Sequence, residues 1–343
     1  MKTLRFAVIG TGFWANYQIP AWCELEGIEL VALYNRTKSK AEVLAHRYNV
    51  PHVYDSVPDL LDREQLDFVD IITDADTHAP FTELAARKGL AVICQKPMAP
   101  KLSIARHMVN VCKQFKVPFF IHENFRWQAP LRKVKSLLDA GAIGKVFKAR
   151  VTFCSAFPVL DNQPFLAELD EFILTDIGSH VLDVCRFLFG EAETLCCHTA
   201  RVNPTIKGED VANVFMKMKS GMTCYAEMSY ASLLEREAFP QTFLLVEGES
   251  GCIQLTHDCE IRTTTSNGTE SVKALPTMYP WIDPAYALVH SSIVDCNRNI
   301  LEALQGKQPA ETTGVDNLET TRLVHASYAS ARGNQLMHLK DFA

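Results

Sequence analysis

The segment from residue 176 to residue 183 carries three groups that can hold or move a proton. Asp176 and His180 are four positions apart, and Asp183 follows three positions later. Residues at these spacings lie on one face of a helix, so the imidazole would have carboxylates beside it. Carboxylates orient an imidazole and serve as its proton-transfer partners. The alternative is a structural histidine on a half-buried helix, which is common in proteins.

Lys96 is the second residue whose position indicates chemistry. It follows the apolar residues 91–94 and precedes Pro97, which does not continue a central strand. An ammonium at the end of a buried strand can polarise a substrate oxygen and support its deprotonation. A lysine at a strand end is also an ordinary surface residue, so Lys96 gains meaning only together with other motifs.

A glycine turn near the N-terminus is the third motif. Gly10, Gly12 and Ala15 follow the apolar residues 4–9 and open a predicted helix. In the dinucleotide fingerprint the first glycine makes the turn, and the second lets the backbone approach a pyrophosphate. A small third residue keeps helix and strand close. The N–H groups at the helix start would bind the pyrophosphate. The alternative is an ordinary strand-to-helix turn.

Strand-like and helix-like segments alternate from residue 4 to about residue 121, which predicts a doubly wound parallel sheet of the Rossmann type. Ligands of such sheets bind beyond the carboxyl ends of the strands. The predicted cofactor site therefore consists of residues in the glycine turn and after the later strands. They are Gly10, Gly12, Phe13, Trp14, Asn35, Arg36, Thr73, His78, Gln95, Lys96 and Asn124.

The end of the second predicted strand bears on the form of the cofactor. An acidic residue there normally bonds the ribose 2′-hydroxyl of NAD, and this chain has Asn35 and Arg36 instead. Asn35 can still hydrogen-bond the hydroxyl, while Arg36 can lie on the adenine or meet a 2′-phosphate. The local charge favours NADP, and the residues alone leave NAD and NADP both open.

The pattern changes from about residue 125. Extended segments with alternating apolar residues, separated by turns near residues 220–221 and 249–251, predict a mostly antiparallel open sheet. Helices are predicted near residues 174–189, 284–305 and 316–330. The predicted class is therefore α/β, with an N-terminal Rossmann dinucleotide-binding domain at residues 1–124. A C-terminal α/β domain at residues 125–343 would bind the substrate.

Composition argues against several classes of protein. The 343 residues are 48% hydrophobic with a net charge of −6, so neither nucleic acid nor an anionic membrane is an expected partner. No apolar run approaches the roughly 20 residues of a transmembrane helix, and residues 1–3 lead into the first strand without a secretory signal. Eleven cysteines without C-x-x-C spacing are expected to be reduced thiols of a cytoplasmic protein. Because the histidines are dispersed, no metal site is expected.

Together the motifs resemble the family of glucose–fructose oxidoreductase, inositol dehydrogenase and the rhizopine-catabolism oxidoreductases (Gfo/Idh/MocA). The resemblance rests on the turn from Gly10 to Ala15, on Lys96 followed by proline, and on the D-x-G-x-H-x-x-D pattern from Asp176 to Asp183. It covers essentially the whole chain, in order and spacing. Each motif alone is common, and their combination is specific. The family fold is a Rossmann domain followed by an α/β domain with an open antiparallel sheet.

The resemblance implies an NAD(P)-dependent oxidoreductase that oxidises a sugar or polyol hydroxyl. It implies Lys96 and His180 as the catalytic pair, with Asp176 helping to hold the substrate hydroxyls. In the predicted reaction His180 takes the hydroxyl proton and Lys96 polarises the oxygen, with both groups at the nicotinamide. The open sheet implies a homodimer or homotetramer, and family precedent favours NAD over NADP.

Two segments depart from the family pattern near the predicted cofactor. Gln95 stands where a glutamate usually precedes Lys-Pro, which removes a carboxylate from the neighbourhood of Lys96. After Thr73 the family usually has Pro-Asn, and this chain has Asp-Ala, although Thr73 and His78 are retained. The hydrogen bond that the asparagine would supply is therefore in question.

A third departure concerns the substrate. Residues 122–128, His-Glu-Asn-Phe-Arg-Trp-Gln, are unlike the common family sequence and rich in groups that bind a polyol. With residues 13–16 they are similar to family members that oxidise a branched furanose pentose to its lactone. The predicted substrate-binding residues are Asp176, Glu123, Gln163 and Arg126.

Other functions remain open on the same fold. Inositol or another polyol is the alternative substrate of a dehydrogenase. Some relatives use bound NAD for glycoside cleavage by transient oxidation, so that no net NADH forms. Others are non-catalytic sensors that bind a nucleotide and regulate a partner. Such sensors tend to lose the lysine and the histidine, and both are present here as Lys96 and His180.

Overall fold

The computed structural model describes residues 3–342. The chain divides into two compact units. Unit 1 contains the residues up to Asn124 together with Ile293–Thr321, and unit 2 contains Phe125–Ser292 together with the residues from Arg322 onward. The predicted boundary also falls after residue 124, but it placed residues 293–321 in the second domain.

Unit 1 contains a six-stranded parallel sheet. Its strands are β1 (Leu4–Ile9), β2 (Ile28–Tyr34), β3 (His52–Tyr54), β4 (Phe68–Ile71), β5 (Ala91–Gln95) and β6 (Phe119–His122). The order β3-β2-β1-β4-β5-β6 reverses direction between β1 and β4, as in a doubly wound fold. The central strands read as continuous apolar runs because both faces of such a sheet are covered; Val8, Val69 and Ile93 are fully buried. The predicted Rossmann architecture is confirmed.

Five helices connect these strands. They are α1 (Ala15–Cys23), α2 (Lys38–Tyr48), α3 (Val57–Arg63), α4 (Ala75–Arg87) and α5 (Leu102–Phe115). α3 begins where the Ser56 hydroxyl accepts a hydrogen bond from the N–H of Asp59 at 3.3 Å. The sequence patterns did not predict β3 or α3, because β3 has only three residues and is partly exposed.

Unit 2 contains a nine-stranded sheet that the two-residue strand β15 closes at one edge. Its strands are β7 (Val146–Cys154), β8 (Ala192–Ala200), β9 (Val211–Met218), β10 (Thr223–Ser229), β11 (Phe243–Gly248), β12 (Gly251–Leu255), β13 (Glu260–Thr265), β14 (Gly268–Lys273) and β15 (Met337–His338). The order is β14-β13-β12-β11-β7-β10-β9-β8-β15.

The prediction of a mostly antiparallel sheet is confirmed, and the sheet is mixed because it contains one parallel pair. β7 and β10 are neighbours and run parallel, with Ala149 opposite Cys224, while the other pairs are antiparallel. A parallel pair requires a long crossover connection. Here the connection includes β8 and β9, and alternation within each strand does not reveal which strands become neighbours.

The remaining helices follow β6, β7 and β14. They are α6 (Ala129–Asp139), α7 (Val159–Asn162), α8 (Ser179–Phe189), α9 (Ala287–Leu304) and α10 (Gly314–Gly333). The division between the units falls within α9 and within α10. A π-helical turn at Leu174–Gly178 precedes α8, so the predicted helix at 174–189 is α-helical only in its second part. Among the residues that the structure describes, no helix has the length and apolar character to cross a membrane.

The two faces of the unit 2 sheet differ. α8 lies against one face, where the sulfurs of Cys185 and Cys224 are 3.7 Å apart and buried. Because side chains alternate along a strand, the next residue, Tyr225, points to the other face. There Tyr225 and Phe215 are exposed, with ring centroids 5.0 Å apart.

Candidate functional site

The glycine turn after β1 fits the backbone of a dinucleotide. Gly10 has a φ of 109°, and a Cβ there would lie 2.4 Å from the carbonyl oxygen of Ile72, so only glycine fits. Gly12 faces open space, with nothing within 4 Å of an added Cβ. The N-cap residue of α1, Trp14, makes no side-chain hydrogen bond to the first turn. Because Asn16 and Tyr17 already donate their N–H groups to the carbonyl oxygens of Phe13 and Trp14, at 3.2 and 3.0 Å, a pyrophosphate would bind at the N–H groups closer to Gly12.

The aromatic residues of the turn lie differently. Phe13 is 45% exposed, and its ring meets Tyr17 edge-on at a centroid distance of 5.3 Å. The indole nitrogen of Trp14 is buried and has no hydrogen-bond partner among residues 3–342. An exposed ring can cover a ligand and a buried donor can bond one, so both features are compatible with the predicted cofactor site.

Asn35 joins the ends of β1 and β2. Its Oδ1 accepts a hydrogen bond from the N–H of Thr11 at 3.3 Å, and its Nδ2 donates to the carbonyl of Thr37 at 3.0 Å. Arg36 beside it is exposed. The predicted position for the adenosine ribose therefore offers a neutral amide and a guanidinium, without a carboxylate at the end of β2.

His78 connects two predicted cofactor loops. The imidazole is 1% exposed, with Nε2 3.0 Å from the carbonyl oxygen of Thr73 and Nδ1 3.1 Å from that of Pro97. Burial lowers the pKa of His78 below its usual value. In this structure His78 thus holds the loop after β4 to the segment after Lys96. A direct contact with the cofactor stays a prediction.

Lys96 follows a buried polar cluster at the carboxyl end of β5. Gln95 donates from Nε2 to Gln18 Oε1 at 2.7 Å, and its Oε1 accepts the N–H of Lys96 at 2.9 Å. Gln18 in turn donates to both carboxylate oxygens of Asp70, at 2.9 and 2.8 Å. Asp70 is fully buried, and desolvation raises its pKa to about 7 although the donated hydrogen bonds oppose this.

The end of β6 adds further buried polar groups. His122 lies with Nδ1 3.2 Å from Gln95 Nε2 and Nε2 3.0 Å from Asn297 Oδ1. Glu123 is fully buried and Asn124 is 1% exposed. The carboxyl ends of β1, β4, β5 and β6 therefore carry the predicted groups together on one edge of the unit 1 sheet.

In unit 2 the π-helical turn holds Asp176. The Tyr230 hydroxyl donates to Asp176 Oδ2 at 3.0 Å, and burial raises the pKa of Tyr230, which keeps that hydroxyl protonated. Glu209 accepts hydrogen bonds from the Tyr328 hydroxyl at 2.8 Å and from the N–H of Leu174 at 3.3 Å. π-helical turns within helices are frequent at functional sites.

His180 lies in the first turn of α8. Its ring stacks on Phe125 at a centroid distance of 3.8 Å and an interplanar angle of 8°, and the residue is 4% exposed. Arg126, which follows Phe125 in the chain, binds Asp183 with two hydrogen bonds of 2.7 and 2.6 Å in a buried ion pair. Residues 125 and 126 thus contact positions 180 and 183 of α8.

Two predicted substrate residues need comment. The Arg126 guanidinium already binds Asp183, an arrangement that the sequence did not indicate. Gln163 is half-exposed at the end of α7. Contacts of these two residues with a substrate stay predictions.

Sequence reasoning missed several residues that support the site. Asp70 had a detectable signal, because it is a carboxylate inside an otherwise apolar strand. Tyr230, Glu209 and Tyr328 had none, since they come from distant segments that only the fold brings to the π-helical turn. Within residues 3–342, no group of three or more His, Cys, Asp or Glu side chains is arranged to hold a metal ion.

Each unit carries one group that can hold or move a proton. Unit 1 contains the glycine turn and the amine of Lys96, and unit 2 contains the imidazole of His180 and the carboxylate of Asp176. Amines and imidazoles are the kinds of group that assist removal of a proton from an alcohol, and a dinucleotide is the kind of cofactor that accepts its hydride.

Comparisons with known proteins point the same way. The family model described as "Oxidoreductase family, NAD-binding Rossmann fold" matches residues 4–123, and that described as "GFO/IDH/MocA C-terminal domain" matches residues 131–254. D-apiose dehydrogenase of Paraburkholderia graminis is 40% identical over 341 residues, covering 99% of this chain and 91% of that protein. D-apiose dehydrogenase of Rhizobium rhizogenes is 36% identical over 339 residues, covering 99% of this chain and 98% of that protein.

One solved structure is very similar along its whole length. It is an oxidoreductase from Agrobacterium radiobacter in complex with NAD+, L-tartaric acid and magnesium. The TM-score is 0.98 at 36% identity, with 100% of both chains covered.

Proposed function

Because the chain belongs to the Gfo/Idh/MocA family of oxidoreductases, we propose that it is an NAD-dependent dehydrogenase whose substrate is D-apiose, oxidised to its lactone. Several relatives are named as dehydrogenases of a sugar or of inositol, and one of these names specifies NADP. The observation that carries the choice of sugar is the full-length identity to two D-apiose dehydrogenases.

The chemistry that NAD supplies when bound is hydride acceptance. Gly10 and Gly12 let the backbone approach its pyrophosphate, and Asn35 with Arg36 would contact the adenosine ribose. The absence of a carboxylate at Asn35 weakens the discrimination against NADP, so the cofactor preference is tested together with the substrate.

His180 and Lys96 are the proposed catalytic residues. His180 would take the proton of the reacting hydroxyl at a ring nitrogen, and stacking on Phe125 fixes the plane of that ring. Lys96 would stabilise the negative charge that develops on the same oxygen. The buried surroundings of His180 exclude water that would compete for the proton.

The other hydroxyls of the sugar would bind to further polar groups. Asp176, with Tyr230 fixing one carboxylate oxygen, would accept hydrogen bonds from substrate hydroxyls. Glu123 and Gln163 are proposed as further hydroxyl ligands. Arg126 stays a proposed substrate-binding residue, and its pair with Asp183 would orient the guanidinium.

A substrate screen tests the proposal directly. NADH or NADPH formation is followed with D-apiose, D-xylose and myo-inositol, each with NAD and with NADP. The expected result is the highest kcat/KM with D-apiose and NAD. Turnover of myo-inositol without turnover of D-apiose contradicts the substrate. Cleavage of a glycoside without net NADH formation favours the glycosidase alternative.

We further propose a homodimer or homotetramer that uses the outer face of the unit 2 sheet. Phe215 and Tyr225 form an exposed aromatic pair on that face, and large aromatic side chains are enriched at protein interfaces. Light scattering of a Phe215→Glu variant should show smaller particles than the wild type. Equal molar masses would contradict this interface. A cytoplasmic location and the lack of a nucleic-acid partner stay predictions.

A further inference from the structure

A chain of buried hydrogen bonds connects Asp70 with the backbone of Lys96. The Asp70 carboxylate accepts from Gln18 Nε2 and also from Trp22 Nε1, the latter at 2.7 Å. Gln18 Oε1 accepts from Gln95 Nε2 at 2.7 Å, and Gln95 Oε1 accepts from the N–H of Lys96 at 2.9 Å. Asp70 and Gln18 are fully buried, and Gln95 is 6% exposed. Such a chain has little exchange with water, so each member depends on the next.

The ends of the chain fix the orientation of both amides. An ionised carboxylate only accepts hydrogen bonds, so Gln18 must direct Nε2 to Asp70 and Oε1 to Gln95. Gln95 must then donate to Gln18 through Nε2. A backbone N–H only donates, so the remaining Oε1 of Gln95 faces Lys96. No amide in the chain can rotate by half a turn without placing donor against donor.

The same chain sets the state of His122. Gln95 Nε2 donates towards His122 Nδ1, which must therefore be the acceptor nitrogen. The ring proton is then on Nε2, 3.0 Å from Asn297 Oδ1. Gln95, the last residue of β5, thus contacts the Gln18 side chain, the His122 ring and the backbone N–H of Lys96.

We propose that Asp70, Gln18 and Gln95 are positioning residues for Lys96, and that the amide of Gln95 is required by the direction of this hydrogen-bond chain. The proposal rests on the role of Lys96 proposed above. A carboxylate at position 95 would place an acceptor opposite Gln18 Oε1 and opposite His122 Nδ1, which both accept hydrogen bonds from Gln95 in the arrangement inferred above.

The first test compares two substitutions that each remove one hydrogen bond to Asp70. Gln18→Met removes the amide that transmits the orientation to Gln95, whereas Trp22→Phe removes a donor that is not part of the path to Lys96. In alkaline buffer, where Asp70 is ionised, Gln18→Met should lower kcat about tenfold or more with KM for NAD nearly unchanged. Trp22→Phe should change kcat by less than about twofold. Equal losses in both variants would mean that general destabilisation explains the effect.

The second test reverses the direction of the chain. Asp70→Asn puts an amide donor against Gln18 Nε2, and Gln95→Glu puts a carboxylate against Gln18 Oε1, so each alone should lower kcat about tenfold or more. In the double variant the side-chain amide of Gln18 can rotate by about 180°, which exchanges the positions of Oε1 and Nε2. It then accepts from the introduced amide at position 70 and donates to the introduced carboxylate at position 95. The double variant should recover part of the wild-type kcat and exceed both single variants, because the contact of position 95 with Gln18 is restored while that with His122 Nδ1 is not.

The outcomes separate this proposal from the proposed function. A double variant no better than its weaker parent, or single variants with wild-type kcat, would overturn the positioning role while Lys96→Ala still abolishes activity. If Lys96→Ala itself keeps wild-type turnover, the proposed function fails first. Circular dichroism spectra and unfolding midpoints of all variants show whether a loss of kcat reflects a folded protein.

Discussion

Two regions of this chain hold the two proposed catalytic residues by different means. In unit 1, Lys96 follows a chain of neutral amides that ends at one buried carboxylate, Asp70. In unit 2, His180 is held by a ring stacked on Phe125, and the same helix is anchored by the full charges of Arg126 and Asp183. Amide chains transmit direction, since each member has a donor end and an acceptor end. A stacked ring and a bidentate ion pair fix a plane and a distance.

This difference predicts that substitutions in the two regions have different effects on turnover and on stability. A neutral amide that loses its partner costs a fraction of what an uncompensated buried charge costs. Substitutions in the Lys96 region should therefore affect turnover more than stability. Substitutions in the ion pair near His180 should affect stability at least as much as turnover.

The largest expected effect is the loss of either reactive group. Lys96→Ala and His180→Ala should each lower kcat by more than about 10²-fold, the usual scale for groups that move or stabilise a proton. Steady-state NADH formation at saturating sugar measures this. Lys101→Ala, at an exposed lysine nearby, is the control and should retain wild-type turnover. Near-normal rates in either of the first two variants would mean that the site has been assigned wrongly.

The ion pair gives the next effect. Arg126→Met leaves the buried Asp183 without its bidentate partner, although Arg186 remains 3.9 Å away. The free energy of unfolding in urea should fall by about 3 kcal/mol. Adding Asp183→Leu removes the stranded charge and should restore much of the loss. A control at the exposed pair of Arg87 and Glu83 should have a much smaller effect. If the losses of unfolding free energy from Arg126→Met and Asp183→Leu simply added in the double variant, the two residues would not be energetically coupled.

Asp70 predicts a pH dependence of stability in unit 1. Its pKa is raised to about 7 in the folded state, above the ordinary value of 3.8. Between these values the folded state binds the extra proton, so its stabilisation is complete at low pH and is lost as the pH rises towards 7. The slope is at most about 1.4 kcal/mol per pH unit. Unfolding measurements from pH 4 to 8 should show this decline, and Asp70→Asn should flatten it. An unchanged slope in the variant would assign the decline to other groups.

The smallest expected effect concerns the carboxylate in the π-helical turn. Tyr230→Phe removes the hydroxyl that donates to Asp176 and leaves the ring packing in place. We expect kcat/KM for the sugar to fall about tenfold, the equivalent of one hydrogen bond to a charged group. KM for NAD should not change. If kcat/KM for the cofactor fell as much as kcat/KM for the sugar, Tyr230 would stabilise the fold in general and would not act by orienting Asp176.

The parts of this picture that sequence predicts are the local ones. Glycine spacing predicted the turn at Gly10, and apolar runs predicted five of the six strands of the parallel sheet. Lys96 and His180 could be proposed as catalytic residues from sequence because their motifs are short and contiguous. Tyr230 and Glu209 were not found, since their contacts with the π-helical turn join segments far apart in the chain. The local sequence around a tyrosine in an alternating strand does not indicate whether its hydroxyl contacts a carboxylate from a distant segment.

The contact of Arg126 with Asp183 illustrates the same limit in a different way. Both residues lie in segments that the sequence predicts to be functional. Arg126 was predicted to bind the substrate on the basis of its charge. The structure pairs the two with each other. Opposite charges in two marked segments can satisfy one another, and no single-segment pattern distinguishes that case from a shared ligand.

The return of Ile293–Thr321 to unit 1 has a consequence for how the protein is made. The N–H of Ile121 in β6 bonds the carbonyl of Thr312 at 2.9 Å, and Phe120 pairs with Thr313, so the last strand of the sheet is covered by chain that is synthesised much later. While the ribosome is still adding unit 2, β6 presents a bare edge on which another nascent chain can pair. Cells that produce this protein at high level should therefore benefit from chaperones during elongation. A fragment ending at residue 124 should aggregate where the full-length chain does not.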